Sequence, residues 1–186
     1  MSRNVNSDTF VGPSFGLGNR TLRFIWNVFY LLFFRFSPRP FHAWRRSLLR
    51  LFGAKMESGV HVYPSARIWA PWLLECRAEA GIGDRAIIYN QARIIIGRRA
   101  VISQGAHLCA GTHDYDRPGM PLVALPITVG EKAWIAAECF LLPGVEIGDG
   151  TVVGARSVVT KSMPAWHVCA GHPCSPIKKR TKHDGM

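Results

Sequence analysis

Residues 129–159 read VGEKAWIAAECFLLPGVEIGDGTVVGARSVV, and this stretch decides the fold. A branched aliphatic residue returns in it every six positions, at Val129, Ile135, Leu141, Ile147, Val153 and Val159. A period of six fits neither the 3.6-residue turn of a helix nor the two-residue alternation of a long strand. It fits a three-walled column in which each hexad supplies one short strand and one tight turn. The stretch therefore predicts a parallel β-helix with these side chains on its axis.

The same phase continues toward the N-terminus with less regularity. Further aliphatic residues in phase are Val62, Ile68, Ile82, Ile88, Ile96, Ile102 and Leu108. Small or compact residues often stand four places after an aliphatic one, at Ala100, Ala106, Thr112, Ala133, Cys139, Val145, Thr151 and Ser157. Glycine, asparagine or aspartate is expected at the corners, because the turns need positive φ.

Two breaks in the phase predict segments that leave the column. The step from Ile88 to Ile96 is two residues too long, so residues 90–93 should bulge outward. The step from Leu108 to Val129 is not a multiple of six, so a loop must be excluded between Thr112 and Pro126. Loops on a rigid scaffold are where binding and catalytic residues concentrate.

Length and charge indicate one core with basic ends. The chain has 186 residues and a net charge of +11, with 48% apolar residues. Residues 1–57 carry nine basic and two acidic side chains and form an N-terminal extension; residues 58–177 are nearly neutral and form the β-helix domain; residues 178–186 form a basic tail. Because the body is neutral and has no base-reading motif, nucleic acid is not an expected partner.

The cysteines and the apolar run indicate the compartment. Five cysteines without a C-x-x-C pair favour a reducing cytoplasm. The apolar run Phe24–Phe34 is shorter than the roughly 20 residues of a membrane span, and no signal-peptide cleavage site follows it. The expected location is therefore cytoplasmic, with peripheral attachment at the inner face of the membrane as an open alternative.

Two helices are predicted before the column, over Thr21–Phe36 and Phe41–Phe52, separated by Ser37-Pro38-Arg39-Pro40. The helices could shield the open end of the column, where unpaired strand edges invite aggregation. Residues 21–52 could also lie on an anionic membrane, because an apolar helix precedes a basic amphipathic one. The two roles are compatible. Residues 1–20 are expected to be a mobile or draped extension.

Several segments together resemble the hexapeptide-repeat acyltransferases. They are GTHDYD at 111–116, PITVG at 126–130, WI at 134–135, LPGVEIG at 142–148, VVTK at 158–161 and GHP at 171–173. With WRR at 44–46 and LFGAK at 51–55, the chain looks most like the acetyltransferases of colanic-acid biosynthesis. Its β-helical part is also similar to maltose and galactoside O-acetyltransferases. The resemblance implies a left-handed coil and a homotrimer.

The resemblance also implies a reaction, because His113 matches the family's catalytic histidine. An alcohol needs a base to attack a thioester, and a histidine suits that task near neutral pH. The expected reaction is direct transfer from acetyl-CoA without a metal, with backbone N–H groups stabilising the oxyanion. Either Asp114 or Asp116 could orient the imidazole.

Further site residues follow from the same resemblance. The acceptor-binding candidates are Asn90, Asp116 and Trp134, and the coenzyme-binding candidates are Ala137, Ala155, Thr160, Lys161 and Lys178. Asn90 could equally be a corner residue with positive φ, and Trp134 could cover a neighbouring subunit. The two lysines could pair with the coenzyme's phosphates. Ser175 and Ala136 depart from the family pattern, which weakens the coenzyme assignment.

The leading functional hypothesis is an acetyl-CoA-dependent O-acetyltransferase acting on a sugar of an envelope polysaccharide or its lipid-linked precursor. Alternatives are a small acceptor such as serine, a free sugar or an antibiotic, and a non-catalytic trimeric scaffold. A γ-type carbonic anhydrase would need three histidines around zinc. His107 and His113 should instead fall on successive faces of the column.

Overall fold

Residues 12–181 are described by a computed structural model, and they form a parallel β-helix preceded by an N-terminal arm, residues 12–54. In the arm, helix α1 spans Leu17–Phe29 and continues as a π-helical turn over Tyr30–Phe34, and α2 spans His42–Leu51. A 3₁₀ turn lies at Pro71–Leu73. The strands are β1 (Lys55–Met56), β2 (His61–Val62), β3 (Arg67–Ile68), β4 (Leu74–Cys76), β5 (Gly81–Ile82), β6 (Ile87–Tyr89), β7 (Ile94–Ile96), β8 (Val101–Ile102), β9 (His107–Cys109), β10 (Gly111–His113), β11 (Leu122–Ala124), β12 (Ile127–Val129), β13 (Trp134–Ile135), β14 (Phe140–Leu141), β15 (Glu146–Ile147), β16 (Val152–Val153), β17 (Val158–Val159), β18 (His167–Gly171) and β19 (Cys174–Lys179).

The strands build three walls. The first wall is ordered β1-β4-β7-β12-β15, the second β2-β5-β8-β13-β16-β18-β19, and the third β3-β6-β9-β14-β17. Neighbours within a wall pair in parallel, except β18 and β19, which are antiparallel. Strands β10 and β11 form a separate antiparallel hairpin that leaves the column. The predicted all-β parallel solenoid and its excluded loop are confirmed.

The predicted aliphatic side chains line the axis. None of the thirteen is more than 4% exposed. The compact residues in the same phase are also buried, except Thr112, which is exposed on β10 because the chain has already left the column there. Met56 and Cys76, also buried, extend the axial row, and Cys76 stacks on Ile96.

The corners differ from the expectation of glycine, asparagine or aspartate. Glycine takes positive φ at several of them, but charged residues do so as well, among them Glu79, Arg99, Glu138 and Arg156. Stacked corners lie about 4.8 Å apart, so long charged side chains can pair along the column. Arg99 Nε lies 2.5 Å from Glu79 Oε2, and Arg156 Nε lies 2.6 Å from Glu138 Oε2.

The arm corrects the predicted helix boundaries. Helix α1 begins at Leu17 rather than Thr21, so residues 17–20 are helical and not a draped extension. The π turn has more residues per turn than an α-helix, so three aromatic rings spaced four residues apart stay on one face. The ring centroids are 6.1 Å apart for Trp26 and Tyr30, and 5.4 Å for Tyr30 and Phe34. Trp26 and Phe34 are fully buried against the first coil. Residues 1–11 lie outside the described residues.

The arm closes the open end of the column through hydrogen bonds. The N–H groups of each strand donate to carbonyl oxygens of the next coil, as His61 N does to Ala80 O at 2.8 Å. Because no described strand precedes the first coil, its own carbonyl oxygens have no strand donor. Side chains of the arm donate to four of them: Arg45 Nε to Val62 O (2.6 Å), Arg46 Nη1 to Val60 O (3.1 Å), Arg50 Nε to Met56 O (2.9 Å) and Trp26 Nε1 to Ile68 O (2.7 Å). The capping role is therefore confirmed, and it explains why α2 is rich in arginine.

The outer side of the arm is apolar and exposed. Phe24, Leu31, Leu32 and Phe36 are among its exposed side chains. No helix within residues 12–181 is long and apolar enough to cross a membrane. The parallel strands begin at Lys55, and β19 ends at Lys179. The division of the chain at residues 57 and 177 stays a prediction.

Candidate active site

Three successive coils leave the column at the same corner, which joins the third wall to the first. The excursions are residues 69–73 after β3, residues 90–93 after β6, and residues 110–126 after β9. The later passage from β14 to β15 needs only residues 142–145. Stacked coils place the three excursions beside one another, so the longest one, which carries the β10–β11 hairpin, lies next to the two shorter ones.

The hairpin holds His113 at its edge. His113 pairs with Leu122 across the hairpin, and its Nδ1 lies 2.7 Å from the carbonyl oxygen of Met120. Met120 has a φ of 40°, a left-handed conformation that is uncommon for a residue with a side chain. Because a carbonyl can only accept, Nδ1 carries the hydrogen and Nε2 keeps its lone pair. The imidazole is thereby set to accept a proton at Nε2.

A cavity of about 300 Å³ lies in front of His113. Its wall combines the hairpin, the two shorter excursions and the start of the arm: Pro13, Ser14, Phe15, Arg20, Arg23, Trp69, Tyr89, Gln91, His113 and Leu122. Among these described residues there is no carboxylate. Burial raises the pKa of the Tyr89 hydroxyl and lowers the pKa of Arg23. The cavity is therefore partly shielded from water, and its lining is aromatic and positively charged.

The Gln91 side chain lies between the second excursion and the hairpin. Its Nε2 donates to the Tyr89 hydroxyl at 2.8 Å. Its Oε1 rests against Gly111, where a Cβ atom would come within 1.6 Å. A side chain at Gly111, two positions before the histidine, would therefore displace the Gln91 amide.

Asp114 and Asp116 do not orient the imidazole, contrary to that expectation. Asp114 Oδ2 lies 3.4 Å from Arg117 Nε, and Asp114 Oδ1 accepts from the backbone N–H of Asp116 at 3.3 Å. The aspartates shape the hairpin tip, while a backbone carbonyl holds the ring. Asp116 is exposed at that tip, and its contact with an acceptor stays a prediction.

Asn90 occupies the interior of the column rather than the cavity wall. It is 0% exposed. Its Nδ2 donates to Ala70 O at 2.6 Å, and its Oδ1 accepts from Ala70 N at 3.0 Å. The amide therefore clamps two stacked excursions together, and the outward bulge consists of Gln91–Arg93. Asn90 is not in the positive-φ region. Its proposed contact with an acceptor stays a prediction.

Trp134 lies on a different wall from His113. It belongs to β13 in the second wall, is 49% exposed, and its Nε1 donates to Ser103 Oγ at 2.8 Å. Within one chain it does not line the cavity of His113. The structure therefore does not bring the three acceptor candidates together.

The coenzyme candidates are spread along the later coils. Ala137 and Ala155 stack at the corner between the second and third walls, where Arg156 N donates to Ala137 O at 2.9 Å. Thr160 and Lys161 follow β17 at the corner that carries the hairpin, two coils further on, about 10 Å along the column. Lys178 is exposed on β19. Their coenzyme contacts stay predictions.

The histidines of the zinc alternative are not grouped in one chain. His107 lies on β9 and His113 on the hairpin. In the part of the chain that the structure describes, no three His, Cys, Asp or Glu side chains could share a metal ion.

Sequence reasoning missed the arm's part in this cavity. Phe15, Arg20 and Arg23 line it, although residues 1–20 were expected to be a mere extension. The available signal was charge: residues 12–54 contain seven arginines and no aspartate or glutamate.

Comparison with known proteins agrees with the fold. Residues 126–161 match the family described as "Bacterial transferase hexapeptide (six repeats)". The chain is 44% identical over 172 residues to the "Putative colanic acid biosynthesis acetyltransferase WcaF" of Escherichia coli (strain K12), covering 92% of this chain and 94% of that protein. Two crystal structures share the fold. One is a maltose O-acetyltransferase from Clostridium difficile 630, with a TM-score of 0.82, 23% identity and 90% of each chain covered. The other is a galactoside acetyltransferase in complex with coenzyme A, with a TM-score of 0.83, 24% identity, and 91% of this chain and 86% of that one covered.

The hexapeptide repeats and these relatives place the chain in the class of hexapeptide-repeat acyltransferases. Within that class, the chain belongs to the acetyltransferase family of the colanic acid biosynthesis protein, which it matches over nearly its whole length.

Proposed function

We propose that the protein transfers an acetyl group from acetyl-CoA to a hydroxyl of a sugar, in an envelope polysaccharide or its lipid-linked precursor, with His113 as the general base. The observation that carries this proposal is the free Nε2 of His113 at a cavity of about 300 Å³, while Nδ1 is tied to Met120 O. The names of the relatives support acetyl transfer, and the neighbour with bound coenzyme A supports the donor.

The chemistry follows from that geometry. Nε2 takes the proton of the acceptor hydroxyl as the oxygen attacks the thioester carbonyl, and the Met120 carbonyl stabilises the imidazolium that forms. The tetrahedral intermediate then collapses, the C–S bond breaks, and the sulfur of coenzyme A receives the proton from His113. The products are the acetyl ester and free coenzyme A, and the imidazole returns to its neutral form.

Coenzyme A is proposed to lie along the later coils. Backbone groups at Ala137 and Ala155 and the side chain of Thr160 would contact the pantetheine arm. Lys161 and Lys178 are exposed cations suited to its phosphates.

A homotrimer is proposed because Trp134 lies on a different wall from the hairpin. In a threefold assembly, the second wall of one copy can face the His113 cavity of the next, so that Trp134, together with Asp116, would contact the acceptor. Light scattering tests this: a mass three times that of the chain supports it, and a monomer at enzymatic concentrations contradicts it.

The outer face of the arm is proposed to rest on an anionic bilayer at the cytoplasmic face of the membrane. Exposed phenylalanines and leucines occur there beside the exposed Arg35, in a segment without acidic residues. Sedimentation with vesicles tests the contact. Binding to vesicles containing phosphatidylglycerol, lost in Phe24→Ser/Leu31→Ser, supports it; equal recovery in the supernatant with and without vesicles contradicts it.

The acceptor is tested by thiol release from acetyl-CoA with a panel of hexosides, a lipid-linked glycan, serine and chloramphenicol. Turnover that requires a saccharide supports the proposal. Turnover with serine or chloramphenicol alone would replace the acceptor class, and the absence of thiol release with every member would contradict acetyl transfer.

A further inference from the structure

Two arginines of α1 enter the cavity of His113. The guanidinium carbon of Arg23 lies 4.4 Å from the centroid of the Trp69 ring and 5.4 Å from that of Phe15. Its Nε donates to Asn19 Oδ1 at 2.8 Å, which fixes the plane of the guanidinium group. The two Nη atoms form the remaining edge of that group. Arg20, one turn earlier on the same helix, lines the same cavity.

The charge of these arginines is not balanced by a carboxylate. No aspartate or glutamate lines the cavity as the structure describes it, and no ion pair between described residues involves Arg20 or Arg23. Burial lowers the pKa of Arg23, and the neighbouring charge of Arg20 lowers it further. Two neighbouring cations in a partly shielded pocket favour an anion between them.

Four other arginines of the arm have structural partners, and Arg35 is exposed outside the cavity. Arg45, Arg46 and Arg50 donate to carbonyls of the first coil. Arg39 pairs with Asp84. Arg20 and Arg23 are instead turned toward the space in front of the general base, and Trp69 and Tyr89 offer flat apolar surfaces beside them for a sugar ring.

We propose that Arg20 and Arg23 form an anion subsite of the acceptor pocket, so that the sugar that is acetylated carries a phosphate or carboxylate group. This inference rests on the proposed acetyl transfer and specifies its substrate class. Arg23 presents a planar fork that suits both kinds of oxyanion. The anion can belong to a soluble sugar phosphate, to a uronic acid or to the phosphate headgroup of a lipid-linked glycan.

The test compares anionic and neutral acceptors. Galactose 1-phosphate, galacturonic acid, a galactosyl octyl phosphate and methyl galactoside are assayed by thiol release with the full-length protein and with Arg20→Gln, Arg23→Gln and Arg23→Lys. The matched control is Arg35→Gln, on an exposed arginine of the same arm outside the cavity. We expect kcat/KM for the preferred anionic acceptor to fall about tenfold or more in Arg23→Gln, the size of a lost hydrogen bond to a charged group. Arg23→Lys should lose less, and methyl galactoside should be unaffected.

The three anionic probes distinguish the sources, because the one with the lowest KM carries the favoured anion. Equal kcat/KM for methyl galactoside and all three anionic probes would overturn the subsite while leaving sugar acetylation intact. An equal loss for neutral and anionic acceptors in Arg23→Gln would also overturn it, because that pattern indicates a packing role.

Calorimetry separates the subsite from the reaction. Galactose 1-phosphate is titrated, without acetyl-CoA so that no turnover occurs, into His113→Asn and into His113→Asn/Arg23→Gln. Binding that is weakened about tenfold by the second substitution supports the subsite even if thiol release fails. Equal binding in both variants, or tighter binding of methyl galactoside, overturns it.

Discussion

The Nδ1 atom of His113 lies 2.7 Å from the carbonyl oxygen of Met120, seven residues further along the same hairpin. The contact joins the end of one hairpin strand to the turn that precedes the other. It depends on the left-handed backbone of Met120, which follows Gly119 with its own positive φ. The hairpin turn therefore determines which nitrogen of the neutral ring carries the hydrogen.

This contact predicts the tautomer of the neutral histidine. When the His113 ring is neutral, its nitrogen-15 chemical shifts should show a protonated Nδ1 and an unprotonated Nε2. His167, whose Nδ1 lies 2.7 Å from Ala165 O, provides an internal reference for the same tautomer. A protonated Nε2 in His113 would contradict the assignment of the base.

Arg45 should contribute strongly to stability because it is fully buried and bonded throughout its guanidinium group. Arg45→Gln removes the guanidinium donors to the carbonyls of Val62, Pro38 and Arg39, so we expect a loss of about 3 kcal/mol or more in the free energy of unfolding. Urea denaturation measures it. Arg35→Gln, on the exposed surface, should change stability by no more than about 0.5 kcal/mol. Equal losses in the two variants would refute the capping role of Arg45.

Gly97 should tolerate no side chain, because an added Cβ would lie 2.6 Å from the carbonyl carbon of Gly130 in the next coil. We expect Gly97→Ala to destabilise the protein by about 1–3 kcal/mol through overpacking. At Gly81, on β5, no atom lies within 4 Å of an added Cβ. Gly81→Ala should be neutral or slightly stabilising. Thermal unfolding of both variants tests the stacking of the coils, and the reverse order would contradict it.

His107 should make stability depend on pH. Burial lowers its pKa, and its Nε2 has no hydrogen-bond partner among the described residues. The unfolded state, with a pKa near 6.5, therefore takes up a proton before the folded state does. The contribution of the neutral ring is complete above about pH 6.5 and is lost as the pH falls through the lower folded pKa.

The melting temperature of the wild type should accordingly fall between pH 7 and pH 5 more steeply than that of His107→Phe. The comparison isolates His107, because the shifted pKa of His42 is common to both proteins. Superimposable pH profiles would show that His107 does not contribute.

The column could be predicted from sequence because its signal is local and repeated. Each of Val129, Ile135 and Leu141 reports the same environment, so one misplaced residue does not hide the pattern. The first excursion, residues 69–73, was not predicted, because the axial position that follows it is Cys76 and cysteine does not stand out among aliphatic residues. The step from Ile68 to Cys76 is two residues longer than a hexad, as is the step from Ile88 to Ile96.

The site was only partly predictable, because contacts between distant segments decide it. His113 was identified through its motif, but its partner is a backbone carbonyl, which no residue type encodes. For Asn90, the sequence left an acceptor contact and a positive-φ corner equally open, and neither anticipates that its amide is bonded on both sides to Ala70. The arm's entry into the cavity depends on where α1 packs against Trp69, and no periodicity reports that packing.

Steady-state thiol release by His113→Asn, with acetyl-CoA and the saccharide that the wild type accepts, tests the central claim most directly. Asparagine keeps a donor near Met120 O but has no basic nitrogen. Acetyl transfer with His113 as general base predicts a fall in kcat of about 10²- to 10⁴-fold, with an unchanged melting temperature and unchanged coenzyme A affinity. A folded His113→Asn protein that acetylates the saccharide at the wild-type rate would contradict the account.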